Sequence, residues 1–220
     1  MEPVSLYNLH YEKFADGKVK CIQDELLFEL PKGWQIEKLG NVCDISRGGS
    51  PRPIKSYLTT SSNGINWIKI GDAKQGCKYI TATKEKILSS AIKYSRYVKS
   101  GDFLLTNSMS FGRPYILKID GCIHDGWLVI SHIEHVFDCD FLYYALNSDI
   151  VYRLLTSLAV GSTVKNLKSD TVKSICFPIP PLPEQKRIVK AIEQAFEKIT
   201  EIETNKKELE ELADKVKAKT

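Results

Sequence analysis

The sequence predicts an α+β protein: a domain of short strands and helices followed by one long C-terminal coiled-coil helix. Three observations point there. Short apolar runs bounded by Gly, Asp, Ser or Pro recur through the middle of the chain, the spacing turns helical between Asp138 and Ala159, and from Pro183 onward apolar and small residues step by four and three. The expected organisation is a lead-in over 1–30, a globular domain over 31–182 and a helix over 183–220.

Residues 1–30 mix charges with scattered aromatics and hold no sustained period, which suggests a partly ordered lead-in. Pro31 and Gly33 mark a turn that opens the compact region, with Trp34 as a core anchor. Strands are expected at Asn66–Ile70, Phe103–Thr106, Tyr115–Ile119 and Trp127–Ser131, in a mixed sheet or small irregular barrel. Phe141, Leu142, Tyr144, Leu146, Ile150, Leu154, Leu155 and Leu158 recur at helical spacing on either side of Asn147–Ser148–Asp149, which reads as two short helices with a polar cap between them. SDTVKSI adds another helical turn, CFPIP an extended piece, and Pro178, Pro180, Pro181 and Pro183 stiffen the exit.

The C-terminal pattern runs Ile188, Ile192, Ala195, Ile199, Ile202, Lys206, Leu209, Ala213, Val216, a seam of about four heptads with one polar member. Pro183 suits the first helical position, where a missing N–H costs nothing. An arm of about 54 Å with Val189, Phe196 and Leu212 flanking its seam needs another helix to cover the stripe.

The chain has 220 residues, is 43% apolar and 26% charged, and carries a net charge of +4, too mild to identify a nucleic-acid partner unless the charges cluster. No apolar run approaches the ~20 residues of a membrane span, and the N-terminus lacks a secretory layout. A cytoplasmic location follows as the expectation. Cys21, Cys43, Cys77, Cys122, Cys139 and Cys176 are singly spaced, as expected of buried reduced thiols.

Three polar loops are candidates for contacting nucleic acid. ISRGGSPRPIKS (45–56) offers Arg47, Arg52 and Lys55 on a flexible backbone, although a solvated surface loop has the same composition. TNSMSFGRPY (106–115) offers Asn107, Ser108, Ser110 and Arg113, of the types that meet base edges and phosphates; a plain connection needs Gly112 and Pro114 just as much. GSTVKNLKSD (161–170) packs Ser162, Thr163, Lys165, Asn166 and Lys168 into a phosphate clamp, or into a helix stop followed by a new cap.

Catalytic and metal readings fare worse. Cys122, His124, His132, His135 and Cys139 look superficially like zinc ligands but lack the usual paired-cysteine spacing. The sequence contains no P-loop, no Gly-x-Ser-x-Gly elbow, no glycine-rich cofactor loop and no complete nuclease motif, so no catalytic residue, metal or cofactor is assigned.

The stretches LPKGWQIEKLGNVCDISRGGSP, INWIKIGDA and GSTVKNLKSDTVKSICFPIPPLPEQKRIV, together with the heptad helix, resemble the DNA-specificity subunit of type I restriction–modification systems over residues 25–219 or so. That resemblance implies a non-catalytic target-recognition domain and a spacer helix. Family members carry this module twice, on two antiparallel helices, and read a split double-stranded DNA target with one domain per half-site. They hold modification subunits that bind S-adenosylmethionine and methylate adenine, and restriction subunits can join. Here one recognition domain and one helix are present, as in a half subunit or a fragment, so the helix is expected to pair with a second copy or second half in a homodimer-like arrangement. Lys206 then helps fix register. The competing reading is a coiled-coil protein-interaction module that reads no DNA.

Overall fold

Side-chain alternation along the central strands organises the molecule. In a computed structural model the described residues are 11–13, 19–21, 31–107, 111–158 and 166–217, and no side chain of the first two segments or of Val216 is described. The strands are β1 (Tyr11–Lys13), β2 (Val19–Cys21), β3 (Gln35–Lys38), β4 (Asp44–Arg47), β5 (Leu58–Thr59), β6 (Ile65–Ile68), β7 (Tyr79–Ile80), β8 (Glu85–Ile87), β9 (Arg96–Val98), β10 (Phe103–Thr106), β11 (Pro114–Leu117), β12 (Gly121–Ile123), β13 (Trp127–Ser131) and β14 (Cys176–Ile179). The helices are α1 (Leu39–Val42), α2 (Cys139–Leu146), α3 (Asp149–Leu158), α4 (Ser169–Lys173) and α5 (Leu182–Lys217).

Two five-stranded mixed sheets form the centre, ordered β4-β13-β10-β11-β7 and β5-β8-β6-β12-β9, with β11–β7 and β12–β6 the parallel pairs. The chain passes between them six times, at β4–β5, β6–β7, β7–β8, β9–β10, β11–β12 and β12–β13. The central strands of the first sheet, β10, β11 and β13, are buried on both faces, which is why they read as apolar runs, whereas its edge strands β4 and β7 are partly exposed. Leu104, Tyr115, Leu117, Trp127 and Val129 pack with Ile68, Val98 and Ile123 of the second sheet. Their strand neighbours Phe103, Leu105, Ile116, Leu128 and Ile130 point the other way, onto Phe141, Leu142, Leu155, Val172 and Phe177. A one-residue slip would exchange the two sets.

The Phe103–Thr106 and Trp127–Ser131 strands match expectation, and those expected at Asn66–Ile70 and Tyr115–Ile119 begin and end one or two residues earlier. Both short helices form. Asp138 caps α2 by accepting from the Asp140 and Phe141 amides, and Ser148 Oγ accepts from the Val151 amide at the start of α3. The CFPI piece is β14, which pairs antiparallel with β3 and closes the domain on its own beginning.

The long helix begins at Leu182, one residue before the expected Pro183, and runs 36 residues. Its first turns are fastened to the domain. Gln185, fully buried, donates to the Val136 and Pro180 carbonyls at 2.9 and 2.8 Å and accepts from the Asp138 amide at 2.7 Å. Val189 lies in the core, Ile188 packs against it, and Phe196 meets the Tyr144 ring at 6.1 Å. Val189 therefore serves its own domain, a correction to the expectation that it awaits another helix, while Ile188 and Phe196 touch the domain and keep part of their surface open. Beyond that point the seam stands open: Ile199, Ile202 and Leu209 are exposed, Ile202 to 65%.

Cys43 and Cys122 are buried, and burial, helped by the Asp44 charge, pushes the Cys43 thiol up to about 12. Cys77 is exposed, against expectation. The suspected zinc residues have separate occupations: Cys122 packs with Trp67 and Ile87, while His132 pairs with Asp44 at 2.8 Å. Among the described residues no helix is long and apolar enough to cross a membrane.

Candidate nucleic-acid interface

The turn His124–Asp125–Gly126, which carries the chain from β12 to β13, is the point around which the polar loops gather. Gly48 and Gly49 seat the 45–56 loop on it: their amides donate to the Trp127 and Ile123 carbonyls at 2.9 and 3.2 Å. A Cβ on Gly48 would lie 2.2 Å from the His124 carbonyl oxygen, so only glycine permits this approach. The loop thus held presents Arg47, Arg52 and Lys55 to solvent.

Asp125 joins the neighbours. Its main-chain oxygen accepts from Arg47 Nε at 2.9 Å and Asn107 Nδ2 at 2.8 Å. Its carboxylate Oδ1 accepts from Ser50 Oγ at 3.0 Å and faces His124 Nε2 at 3.0 Å, while Oδ2 stands 3.8 Å from Arg52. Asn107 continues the chain, its amide donating to the Gly126 carbonyl and its own carbonyl accepting from the Leu167 amide, both at 2.9 Å. All three loops singled out in the sequence, around Arg47, Asn107 and Leu167, are therefore tied together through Asp125 and Asn107.

The individual residues divide. Arg47, Arg52, Lys55, Arg113, Asn166 and Lys168 are exposed. Arg113 stands on a pinned turn, its amide donating to Thr106 Oγ1 at 2.9 Å and its carbonyl accepting from the Thr106 amide at 3.1 Å. Asn107 is a correction: at 1% exposure it cannot reach a base edge, and it acts as a rivet beneath the loops. Ser108, Ser110, Ser162, Thr163 and Lys165 lie outside the described residues.

Beside Asp125 opens a cleft of about 850 Å³ with Trp67 and His124 in its wall and Arg52, Lys55, Lys69 and Glu85 around it. Lys69 is paired with Glu85 at 2.7 Å. Ser50, His124 and Asp125 do not form a nucleophile relay. Both Ser50 and His124 face the same carboxylate oxygen, and His124 Nδ1, the acceptor a serine proton would need, already accepts from the Gly126 amide at 2.9 Å. The arrangement supplies exposed cations, donors and an aromatic wall, the equipment for phosphate and base contacts.

The profile of the type I restriction modification DNA specificity domain matches residues 31–211. The chain belongs to that family. Among its curated relatives, the specificity domain here is 28% identical over 192 residues to the type I restriction enzyme MjaIX specificity subunit of Methanocaldococcus jannaschii, covering 86% of this chain and 43% of that one. It is 31% identical over 172 residues to a putative type I restriction enzyme specificity subunit of Haemophilus influenzae, covering 75% of this chain and 42% of that one. The chain thus spans less than half the length of these relatives. Its fold is shared with the HsdS subunit of Thermoanaerobacter tengcongensis, at a TM-score of 0.61 and 24% identity over 79% of this chain and 40% of that one.

Sequence reasoning weighed His124 only as a zinc ligand and missed Asp125 and Arg96, whose Nε donates to the Arg47 carbonyl at 3.0 Å. The Asp-Gly pair between two apolar runs marks a turn. Nothing local says which loops that turn receives.

Proposed function

We propose that the specificity domain reads one half of a bipartite double-stranded DNA target and takes no part in the chemistry. In this reading it acts in the cytoplasm, recruiting a modification subunit that binds S-adenosylmethionine and methylates adenine, and a restriction subunit can join the same assembly. A second recognition half, on a second copy of this chain or a second module, is held through antiparallel pairing of α5. The chain is organised for this as a recognition domain over 31–182 and a spacer helix over 183–220, preceded by a lead-in over 1–30.

The observation that carries the reading is the hydrogen-bonded chain Arg47–Asp125–Asn107–Leu167, which ties three distant loops together, with Arg47, Arg52, Lys55, Arg113 and Lys168 exposed on them. Arg47 and Lys55 are cast as phosphate contacts and Arg113 as a base reader. Ser108, Ser110, Ser162, Thr163 and Lys165 belong to the same loops and stay in the proposed set, with Asn166.

The test is fluorescence anisotropy of the chain on duplex DNA as salt is varied. Lys55→Ala should weaken every duplex alike and lower the salt slope by about one, while Arg113→Ala should cost about 1–3 kcal/mol on the target alone. Binding that ignores salt would favour the protein-interaction reading instead.

A further inference from the structure

Two features remain without employment. One is an apolar groove of about 390 Å³ between α3 and the β3–β14 pair, lined by Trp34, Ile150, Leu154, Leu158, Cys176 and Ile188. The other is Leu212, 58% exposed and one residue off the seam, where a simple two-helix contact has no place for it.

Ile188 connects them, because it lines the groove and is also the first residue of the four-three seam. A helix lying along that seam must end at the groove. Seam registers of an antiparallel pair can be compared by what faces Lys206. Pairing Ile199 with Ile202 of the second copy also pairs Ile192 with Leu209, Ile188 with Ala213, and Lys206 with Ala195, the smallest available partner for a long polar side chain. A shift of one heptad either way puts Lys206 against Ile202 or Ile188. The favoured register brings the last turns of the second copy's helix, and with them Leu212, to the groove.

We infer that this groove is the seat of the distal end of α5 from a second copy of the chain, with Leu212 of that copy as its apolar plug. The inference rests on the helix pairing proposed above and adds a contact between each helix end and the opposite domain. Two-fold symmetry makes two such contacts per dimer. Each domain is then held at its end of the coiled coil by two helices, its own at the root and the second copy's at the tip, so the angle between the two reading faces is set by docking as well as by helix length.

Cys176 in the groove wall allows a direct test with the full chain. Leu212→Cys, oxidised with copper–phenanthroline, should give a covalent dimer linking position 212 to Cys176, located by peptide mass spectrometry and lost in the Leu212→Cys/Cys176→Ser double variant. Position 212 lies 24 residues beyond Ile188 of the groove wall, about 36 Å along the helix, so it cannot reach its own groove. In the favoured register the two 212 positions are about 35 Å apart and cannot join each other. Leu212→Glu should raise the dimer dissociation constant at least ~10-fold, and Leu212→Met should restore it. Light scattering separates the failures. A chain that stays monomeric at tens of micromolar overturns helix pairing and the groove together, whereas a dimer in which 212 links elsewhere or not at all overturns the groove alone.

Discussion

Replacing Asp125 by Ala removes an acidic residue from the middle of a basic face, and the structure says this should harm recognition while strengthening indiscriminate binding. The main-chain bonds to Arg47 and Asn107 survive the change. The carboxylate's bonds to Ser50 and His124, both at 3.0 Å, are lost, along with its 3.8 Å approach to Arg52. A hydrogen bond to a charged acceptor is worth about 1.5–3 kcal/mol, and the more exposed His124 and Arg52 pairs add less than ~1 kcal/mol. A loss of roughly 2–3 kcal/mol lowers Tm by about 4–12 °C in a chain of this size. Removing one negative charge near Arg47, Arg52 and Lys55 tightens non-target duplex binding about twofold to fivefold at low salt. On the target, Ser50 loses its fixed orientation and Arg52 its neighbouring counter-charge, so the target-to-non-target ratio should fall at least ~10-fold. Anisotropy with matched and scrambled duplexes reads the ratio and a thermal melt reads the stability. Asp125→Asn, which keeps an acceptor for Ser50, should fall between. An unchanged ratio in the Ala variant, with Tm within about 1 °C of wild type, would refute the idea that this turn organises the face.

Gly48→Ala should destabilise by about 2 kcal/mol or more, because its Cβ meets the His124 carbonyl at 2.2 Å; chemical denaturation measures it, and a change under 0.5 kcal/mol would contradict the close approach. Gln185→Ala deletes three hydrogen bonds and strands the buried Pro180 carbonyl and the half-buried Val136 carbonyl, so it should cost about 2–4 kcal/mol and speed hydrogen exchange in the first turns of α5. Inserting one heptad near Ile202 lengthens the arm by about 10 Å while preserving the seam. With the partner methyltransferase, the unread spacer between methylated half-sites should then grow by about one to three base pairs and both half-sites should stay the same; an unchanged spacer would remove the helix from the role of ruler.

What the sequence disclosed and what it hid divide along physical lines. FLLT and WLVIS were legible as strands because a doubly buried strand carries its apolar run on its face, and Asn147–Ser148–Asp149 announced a cap between two helices, whereas the cap at Asp138 went unread. The β3–β14 pairing joins residues about 140 apart and leaves no local mark. At Asn107, residue type pointed to a surface contact, yet the fold turns the side chain inward to the Asp125 carbonyl; polar chemistry alone does not separate a reader from a rivet. Ile188 taught the same lesson for the helix. A heptad period reports that a face is apolar, and only the fold decides that its first turns meet their own domain while Ile199 onward stay open.

Mapping methylated adenines genome-wide, in cells expressing this chain with its cognate methyltransferase, tests the central claim most directly. For the chain acting as a symmetric dimer, the account predicts one half-site sequence repeated in inverted orientation around a fixed spacer, and Arg113→Ala should relax or alter the half-site while leaving the spacer length unchanged. Methylation at the same sites and rates with Arg113→Ala, Arg47→Ala and Asp125→Ala combined would contradict it, because the face built around Asp125 would then not be the one that reads DNA.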